Sequence, residues 1–382
     1  MGDGGKKKLF FVVTEDWYFY SHRLPMARAA QRAGFDVSVL TNIDQHQALI
    51  EAENIRVIPF SMDRRSLNPL RAVGKINELR KIYQQEKPDL VHHIAMKPVL
   101  YGAIASWLAG VPRVLNAFAG LGYLFCGQDT KAKLLKFLLL PFFRFFLKRE
   151  GRWLLLQNND DLALLQSYKV TPDNKTVVIK GSGVDLDDYA VIAPEKPAPD
   201  FICAFAGRMI EIKGLPTLQK AFEMLEASAP HVKLWLCGTP DPANPGAWTE
   251  ERLRAWGARP NIEYKGHCSN MPEIWQKSHC AVQASYGGEG VPKSLLEAAS
   301  CGRAIVTTLS PGCREMVAEG INGYAVPIRD AQALAAAIEN IAQDFDVCAQ
   351  MGRASRALVE KEFSAAVVSQ KTEALYRRIA DA

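Results

Sequence analysis

Short β-branched or aromatic runs alternate with longer stretches of helical periodicity along this chain, twice over, the pattern of parallel sheets covered by helices. Strands of the first series are expected near 9 to 14 (LFFVVT), 36 to 41 (DVSVLT), 55 to 60 (IRVIPF), 89 to 95 (DLVHHIA), 113 to 118, 152 to 158 and 176 to 180. From Asp185 to Asp200 the rhythm stops in DLDDYAVIAPEKPAPD, whose three prolines, acids and lack of periodicity read as a linker. The second series follows near 201 to 206 (FICAFA), 233 to 237, 262 to 266, 280 to 284 (CAVQA), 304 to 308 (AIVTT) and 323 to 328. Such a chain is α/β, with two doubly wound, Rossmann-like domains at 1–184 and 201–362 joined by the 185–200 linker. Residues 363–382 carry Val367, Val368, Leu375, Tyr376 and Ile379 at roughly helical spacing, which predicts a closing helix packing back towards the first domain. Doubly wound sheets bind ligands beyond the carboxyl ends of their strands, so two such domains facing one another would place a site in the cleft between them.

At 382 residues, 48% hydrophobic and 23% charged, the chain has room for two buried cores and is neither disordered nor a coiled coil. Its net charge of +5 favours phosphates or anionic lipid but is too small to indicate a nucleic-acid binder. The 8 cysteines are scattered, with no C-x-x-C pair and no Cys/His ligand spacing, so a reduced, cytosolic chain without structural zinc is expected. The lead MGDGGKKK is followed by a run of only six residues before Glu15, LFFVVT, too short for a signal-peptide core. Lys6 stands where N-myristoylation wants Ser or Thr.

The densest group of chemically able residues is Gly287-Gly288-Glu289-Gly290-Val291-Pro292-Lys293-Ser294-Leu295-Leu296-Glu297, a glycine-rich turn between a strand and a helix. Glycines admit close approach of a ligand to the backbone, and the free N–H groups of a helix N-terminus favour an anion such as a diphosphate. Glu289 in the turn and Glu297 inside the helix can grip hydroxyls on different parts of one ligand; taken alone, such a pair is more often a helix-start charge and a surface helix residue. After the first strand of the second domain comes Gly207-Arg208-Met209-Ile210-Glu211-Ile212-Lys213-Gly214, whose Arg fork and Lys charge suit a diphosphate, although a lone basic loop is more often solvated surface. Asp185 and Asp187 form a D-x-D, but their place at the linker reads as a turn or cap rather than a metal site. His92 and His93 lie within a strand, where packing roles are expected.

In the E-x7-E pair Glu289/Glu297, the G-R-x4-K-G element Gly207 to Gly214, the LLEAASCGRAIVTT stretch and the GSGVDLDDY turn, the chain resembles the retaining glycosyltransferases of the GT4 class, built on the GT-B fold. The resemblance covers nearly the whole chain. It implies that Glu297 holds the nucleotide ribose, that Glu289 contacts the donor sugar, and that Arg208 and Lys213 neutralise the donor diphosphate, these last three being the catalytic set. It also places Gly207, Gly288, Gly290 and Val291 at sugar or phosphate and the His267 to Met271 loop at the base, with Val291-Pro292 replacing the family's usual Phe-Gly or Phe-Pro. Implied too is transfer with retention from a UDP-sugar, by front-face attack in which the leaving diphosphate accepts the acceptor's proton, with no cofactor and no metal. Many members carry a histidine in the loop after the fifth strand; here that loop reads Asn116-Ala117-Phe118-Ala119-Gly120-Leu121-Gly122-Tyr123, with Ala119 at the histidine position, which leaves the first-domain contact unassigned.

The acceptor clue is Lys131 to Arg152, seven basic residues and one acid interleaved with Leu and Phe. Its uninterrupted apolar run, Phe137 to Phe143, is far short of the roughly 20 residues that span a bilayer. A basic amphipathic helix near 131–149 that lies in an anionic membrane surface is expected; a core helix with a basic solvent face is the other reading. With the LNAFAGLGYLF loop and the YFYSHRLPMARAA helix start, this looks like the PglA-like GT4 enzymes that extend undecaprenyl-diphosphate-linked sugars. That resemblance implies a lipid-linked saccharide acceptor, a peripheral place on the cytoplasmic face of the inner membrane, and acceptor contacts from His22, Arg23, Lys97, Gly120 and Gly122. Two other readings stand beside it. A UDP-N-acetylglucosamine 2-epimerase-type enzyme would need acid/base carboxylates at C2 and C3 that no motif supplies. A non-catalytic sugar-nucleotide sensor fits Ala119 but leaves the Glu289/Glu297 and Arg208/Lys213 sets without purpose.

Overall fold

A computed structural model describes residues 6–63, 68–121, 124–125, 130–194, 196–197, 199–242, 244 and 246–382. The chain divides into two compact units, unit one being Met1–Gly183 with Ala366–Ala382 and unit two Val184–Ala365.

Unit one holds a sheet of β1 (Lys7–Glu15), β2 (Phe35–Asn42), β3 (Arg56–Pro59), β4 (Leu90–Ile94), β5 (Arg113–Ala117), β6 (Arg152–Leu156) and β7 (Thr176–Val178), ordered 3-2-1-4-5-6-7 among the described residues. Every pairing is parallel, as where β1 aligns Leu9 with Val37 on one side and with Leu90 on the other. Strands covered on both faces by helices read as near-continuous apolar runs, which is why LFFVV and LVHHI could be placed from sequence. Its core joins Leu9, Phe11, Phe35 and Leu115 to Val368, Leu375, Tyr376 and Ile379 of the last helix, Ala365–Asp381. Unit one therefore combines the start of the chain with its end.

Unit two is contiguous. Its sheet contains β8 (Phe201–Ala206), β9 (Val232–Cys237), β10 (Ile262–Gly266), β11 (Cys280–Gln283), β12 (Ala304–Thr308) and β13 (Gly323–Val326), all parallel, in the order 10-9-8-11-12-13 among the described residues. One face buries Phe201, Phe205, Leu218, Phe222 and Leu234; the other buries Ala204, Ala281, Leu295, Leu296 and Trp275. The strand order reverses between β8 and β11, and the crevice at the carboxyl ends of such a pair is where doubly wound sheets take ligands. The 185–200 segment is held to unit two: Leu186 and Tyr189 pack on the second face, and Arg303 donates to the Ile192 carbonyl.

Candidate functional site

β8 ends at Ala206 and β11 at Gln283, so the two motifs singled out in the sequence emerge side by side at the switch point. A short 3-10 turn, Glu211–Lys213, closes the first loop, and Gly214 behind it has φ +82. A Cβ on Gly214 would lie 1.9 Å from the Ala284 carbonyl oxygen, so only glycine lets the first loop pass this close to the second. Across that contact Tyr286 N donates to Ile212 O (3.1 Å), and Lys213 Nζ meets Glu289 Oε1 at 2.6 Å. Both side chains are about 15% exposed, at 15% and 14%, and Ser285 Oγ also donates to Glu289 Oε1. Here the structure brings together residues that the sequence could only align in two separate motifs.

Arg208 is exposed and paired with Asp241 Oδ2 at 2.7 Å, on the loop that follows β9. Gly207 N donates to Cys237 O and Gly238 N to Gly266 O, which ties together the ends of β8, β9 and β10. Gly288 has φ +73, the left-handed region, while Gly290 and Val291 are buried ahead of the helix Lys293–Ser300. Gly290 O is approached so closely by Gly312 that a Cβ there would lie 1.2 Å from it. His267 is exposed and Met271, half-buried, opens the helix Met271–Lys277.

Glu297 is buried within its helix. Its carboxylate has Lys293 Nζ at 3.7 Å and Trp275 Nε1 at 3.5 Å, and Tyr189 packs against the same cluster of side chains. Burial pushes its carboxyl above the usual range, and Lys293 and Trp275 pull it part of the way back. Tyr189, Trp275, Ser285 and Asp241 were not picked out by sequence reasoning; only Tyr189 lay within a quoted motif, and no spacing signalled its packing beside the Glu297 helix.

The acceptor residues expected in unit one are more dispersed. His22 is half-buried, stacked on Tyr18 with ring centroids 4.7 Å apart. Arg23 is 2% exposed, donating to Tyr18 Oη at 2.7 Å and lying over the Tyr18 ring. Lys97 donates to Asp63 O at 2.6 Å. Gly120 has φ +104, and Gly122 lies outside the described residues. His92 and His93 are fully buried: His92 Nδ1 bonds Tyr376 Oη, and His93 sits between Asn116 Oδ1 and Tyr83 Oη, each at 3.0 Å. Asp185 Oδ1 accepts from Asp187 N, closing a turn. No group of three His, Cys, Asp or Glu side chains among the described residues is placed to hold a metal ion.

The helix Thr130–Leu147 has two faces. Ala132, Phe143 and Leu147 are buried, the last two against Phe118, Leu154 and Leu165, whereas Leu134, Phe137, Leu138 and Phe145 are exposed, Phe137 by 75%. Trp107 and Leu108, also exposed, belong to the helix Met96–Ala109; Trp107 packs on Phe145, and the Arg149 guanidinium lies over both rings. Lys133, Arg144 and Lys148 are exposed along the same stretch. No helix of the described residues is long and apolar enough to cross a membrane.

Residues 200–344 match the family described as Glycosyl transferases group 1, and residues 8–149 match Glycosyl transferase 4-like. Along 371 residues, 94% of this chain and 96% of the relative, it is 25% identical to the N,N'-diacetylbacillosaminyl-diphospho-undecaprenol alpha-1,3-N-acetylgalactosaminyltransferase of Campylobacter jejuni. Identity is 22% over 391 residues, 97% of each chain, with the capsular polysaccharide biosynthesis glycosyltransferase CapM of Staphylococcus aureus. Among solved structures, Anabaena HepE in complex with UDP-glucose superposes with a TM-score of 0.74 at 18% identity, covering 96% of this chain and 98% of that one. The shared architecture is the GT-B fold.

Proposed function

Because the chain belongs to the glycosyltransferases, by the group 1 domain of unit two and the 4-like domain of unit one, we propose that it moves a sugar from a UDP-sugar to a polyprenyl-diphosphate-linked saccharide. The observation that carries this reading is the 2.6 Å contact of Lys213 with Glu289 at the switch point of unit two, which joins both donor motifs in one place. The names of the Campylobacter and Staphylococcus relatives support the acceptor class and a role in surface glycan synthesis.

In this reading Glu297 holds the ribose hydroxyls, His267 and Met271 border the base, and the amides of Gly288, Gly290 and Val291 meet donor sugar and phosphate. Gly207 gives the backbone room at the diphosphate. Arg208 and Lys213 face the charge that develops on the leaving diphosphate, and fixed cations there lower the barrier without reorganising. Glu289, oriented by Lys213 and Ser285, addresses the donor sugar, an N-acetylhexosamine or a hexose. The acceptor hydroxyl attacks on the face the diphosphate leaves, and the diphosphate takes its proton; the anomeric configuration is retained and no metal takes part. In unit one His22, Lys97, Gly120 and Gly122 meet the acceptor, with Arg23 supporting His22 through Tyr18.

The exposed row Leu134, Phe137, Leu138 and Phe145, with Lys133, Arg144 and Lys148 beside it, fits an anionic membrane surface, and the enzyme works peripherally on the cytoplasmic face. The test is incubation with labelled UDP-sugars and a bacterial membrane fraction, counting label in the organic-extractable lipid. Label entering lipid from one UDP-sugar is the expected result; labelled epimerised nucleotide without transfer, or no turnover of any UDP-sugar, would reject the reading. Replacing both Phe137 and Leu138 by Glu is expected to abolish flotation with anionic vesicles.

A further inference from the structure

Two polar side chains stand in line behind the Lys213–Glu289 contact, both sealed from water. Gln283, the last residue of β11, is 1% exposed, and Ser285 is fully buried. Gln283 Nε2 donates to Ser285 Oγ at 2.7 Å, and Ser285 Oγ donates to Glu289 Oε1 at 3.1 Å, the same oxygen that Lys213 Nζ meets. The backbone beneath them is tied to β12, where Thr307 Oγ1 donates to Gln283 O at 2.7 Å and Thr308 Oγ1 donates to Ser285 O.

Protons fix the direction of this chain. A hydroxyl has one proton to give, and a carboxylate paired with a lysine has none, so the Ser285 proton lies on the bond to Glu289. Ser285 Oγ must therefore receive its other bond, and only the amide nitrogen of Gln283 can supply it. Turning that nitrogen to Ser285 leaves Gln283 Oε1 buried without a hydrogen-bond partner. A buried carbonyl left unpaired costs stability, a cost that an apolar side chain of the same length would avoid. Both protein donors fall on Oε1 of Glu289, which leaves Oε2 to a ligand. We infer that Gln283 is a positioning residue for donor-sugar recognition: acting through Ser285, it holds Glu289 Oε1 against Lys213 and so presents Oε2 to a hydroxyl of the donor sugar. This rests on the reading above, in which Glu289 addresses that sugar.

Gln283→Met keeps the length of the side chain and cannot donate; Gln283→Leu is a second variant of the same kind. The substrate is whichever of UDP-glucose, UDP-galactose, UDP-N-acetylglucosamine and UDP-N-acetylgalactosamine labels lipid in the assay above, and UDP as an inhibitor reports the nucleotide alone. On the full chain, either substitution should lower kcat/KM about 10-fold, the worth of one hydrogen bond to a charged group, while the UDP inhibition constant stays unchanged and the melting temperature holds or rises. In a Ser285→Ala background, itself impaired, adding Gln283→Met should lower kcat/KM no further, because the relay is already cut. Unchanged kcat/KM overturns the inference. So does an equal further loss in the Ser285→Ala background, or a parallel weakening of UDP with a lowered melting temperature, either of which marks Gln283 as structural support only. If Glu289→Gln leaves kcat/KM unchanged, or none of the four nucleotide sugars labels lipid, the role of Glu289 or the donor class itself fails, and this inference with it.

Discussion

Removing both members of the Lys213–Glu289 pair should cost less than the sum of removing each alone. The ions lie 2.6 Å apart with side chains 15% and 14% exposed, and at an effective dielectric constant of about 20 their attraction is ~6 kcal/mol. Desolvating two ions takes back most of that, leaving a coupling of about 1–3 kcal/mol, above the 0.2–1 kcal/mol typical of exposed pairs. Lys213→Met and Glu289→Gln should each destabilise unit two by about 2–3 kcal/mol, because each strands a half-buried partner, while the double variant should lose less than their sum. Two units need not unfold together, so the readout should be local: hydrogen exchange of β8 and β11 peptides across a urea series, for the wild type, both single variants and the double variant. Additivity within about 0.3 kcal/mol would refute the reasoning, showing the two charges to be solvated independently and the loops of β8 and β11 not locked by this contact.

Three further outcomes follow from the same geometry. Arg208→Ala should lower kcat by about 10²–10³ with the melting curve unchanged, since its pairing with Asp241 is exposed and weak in stability terms; an active variant would remove Arg208 from the diphosphate. Gly312→Ala should destabilise unit two by at least ~3 kcal/mol and abolish UDP binding, because at φ +80 its Cβ would collide with Gly290 O; a stable, UDP-binding variant would contradict that packing. Burial pushes the His93 imidazole from 6.5 down to about 4, so between those values the unfolded chain binds the extra proton; unit one should lose about 3 kcal/mol as pH falls from 6.5 to 4, and a His93→Gln variant should show a shallower pH dependence in acid titrations.

Much of the fold was legible because parallel strands buried on both faces are written as unbroken apolar words. FICAFA and AIVTT fall where the sequence places them, and both series of strands appear in the expected succession. The Gly207–Gly214 and Gly287–Glu297 motifs stood out in the sequence, but not their contact, since the Lys213–Glu289 distance is set by the adjacency of β8 and β11, which are remote in sequence. Tyr189 was quoted only as part of a turn; its packing against Leu295 and Leu296 depends on how the segment after Val184 lies against the helix Lys293–Ser300, and no periodicity encodes that. The helix Thr130–Leu147 has both an exposed apolar face and a core face: composition could not apportion Phe143 to the interior and Phe137 to the surface, which the packing of Phe118 and Leu165 decides.

The return of Ala366–Ala382 to unit one sets an order on biogenesis. A ribosome delivers β1 first, yet Leu9 and Phe11 wait for Val368, Leu375, Tyr376 and Ile379, nearly the whole chain later, before their core is closed. Unit two, contiguous from Val184 to Ala365, is finished sooner and can complete itself while unit one is still missing a wall. The nascent amino-terminal half therefore exposes apolar surface until its last helix arrives, and a stall or cleavage near residue 365 would release a chain with a closed carboxyl-terminal unit and an unsealed amino-terminal one.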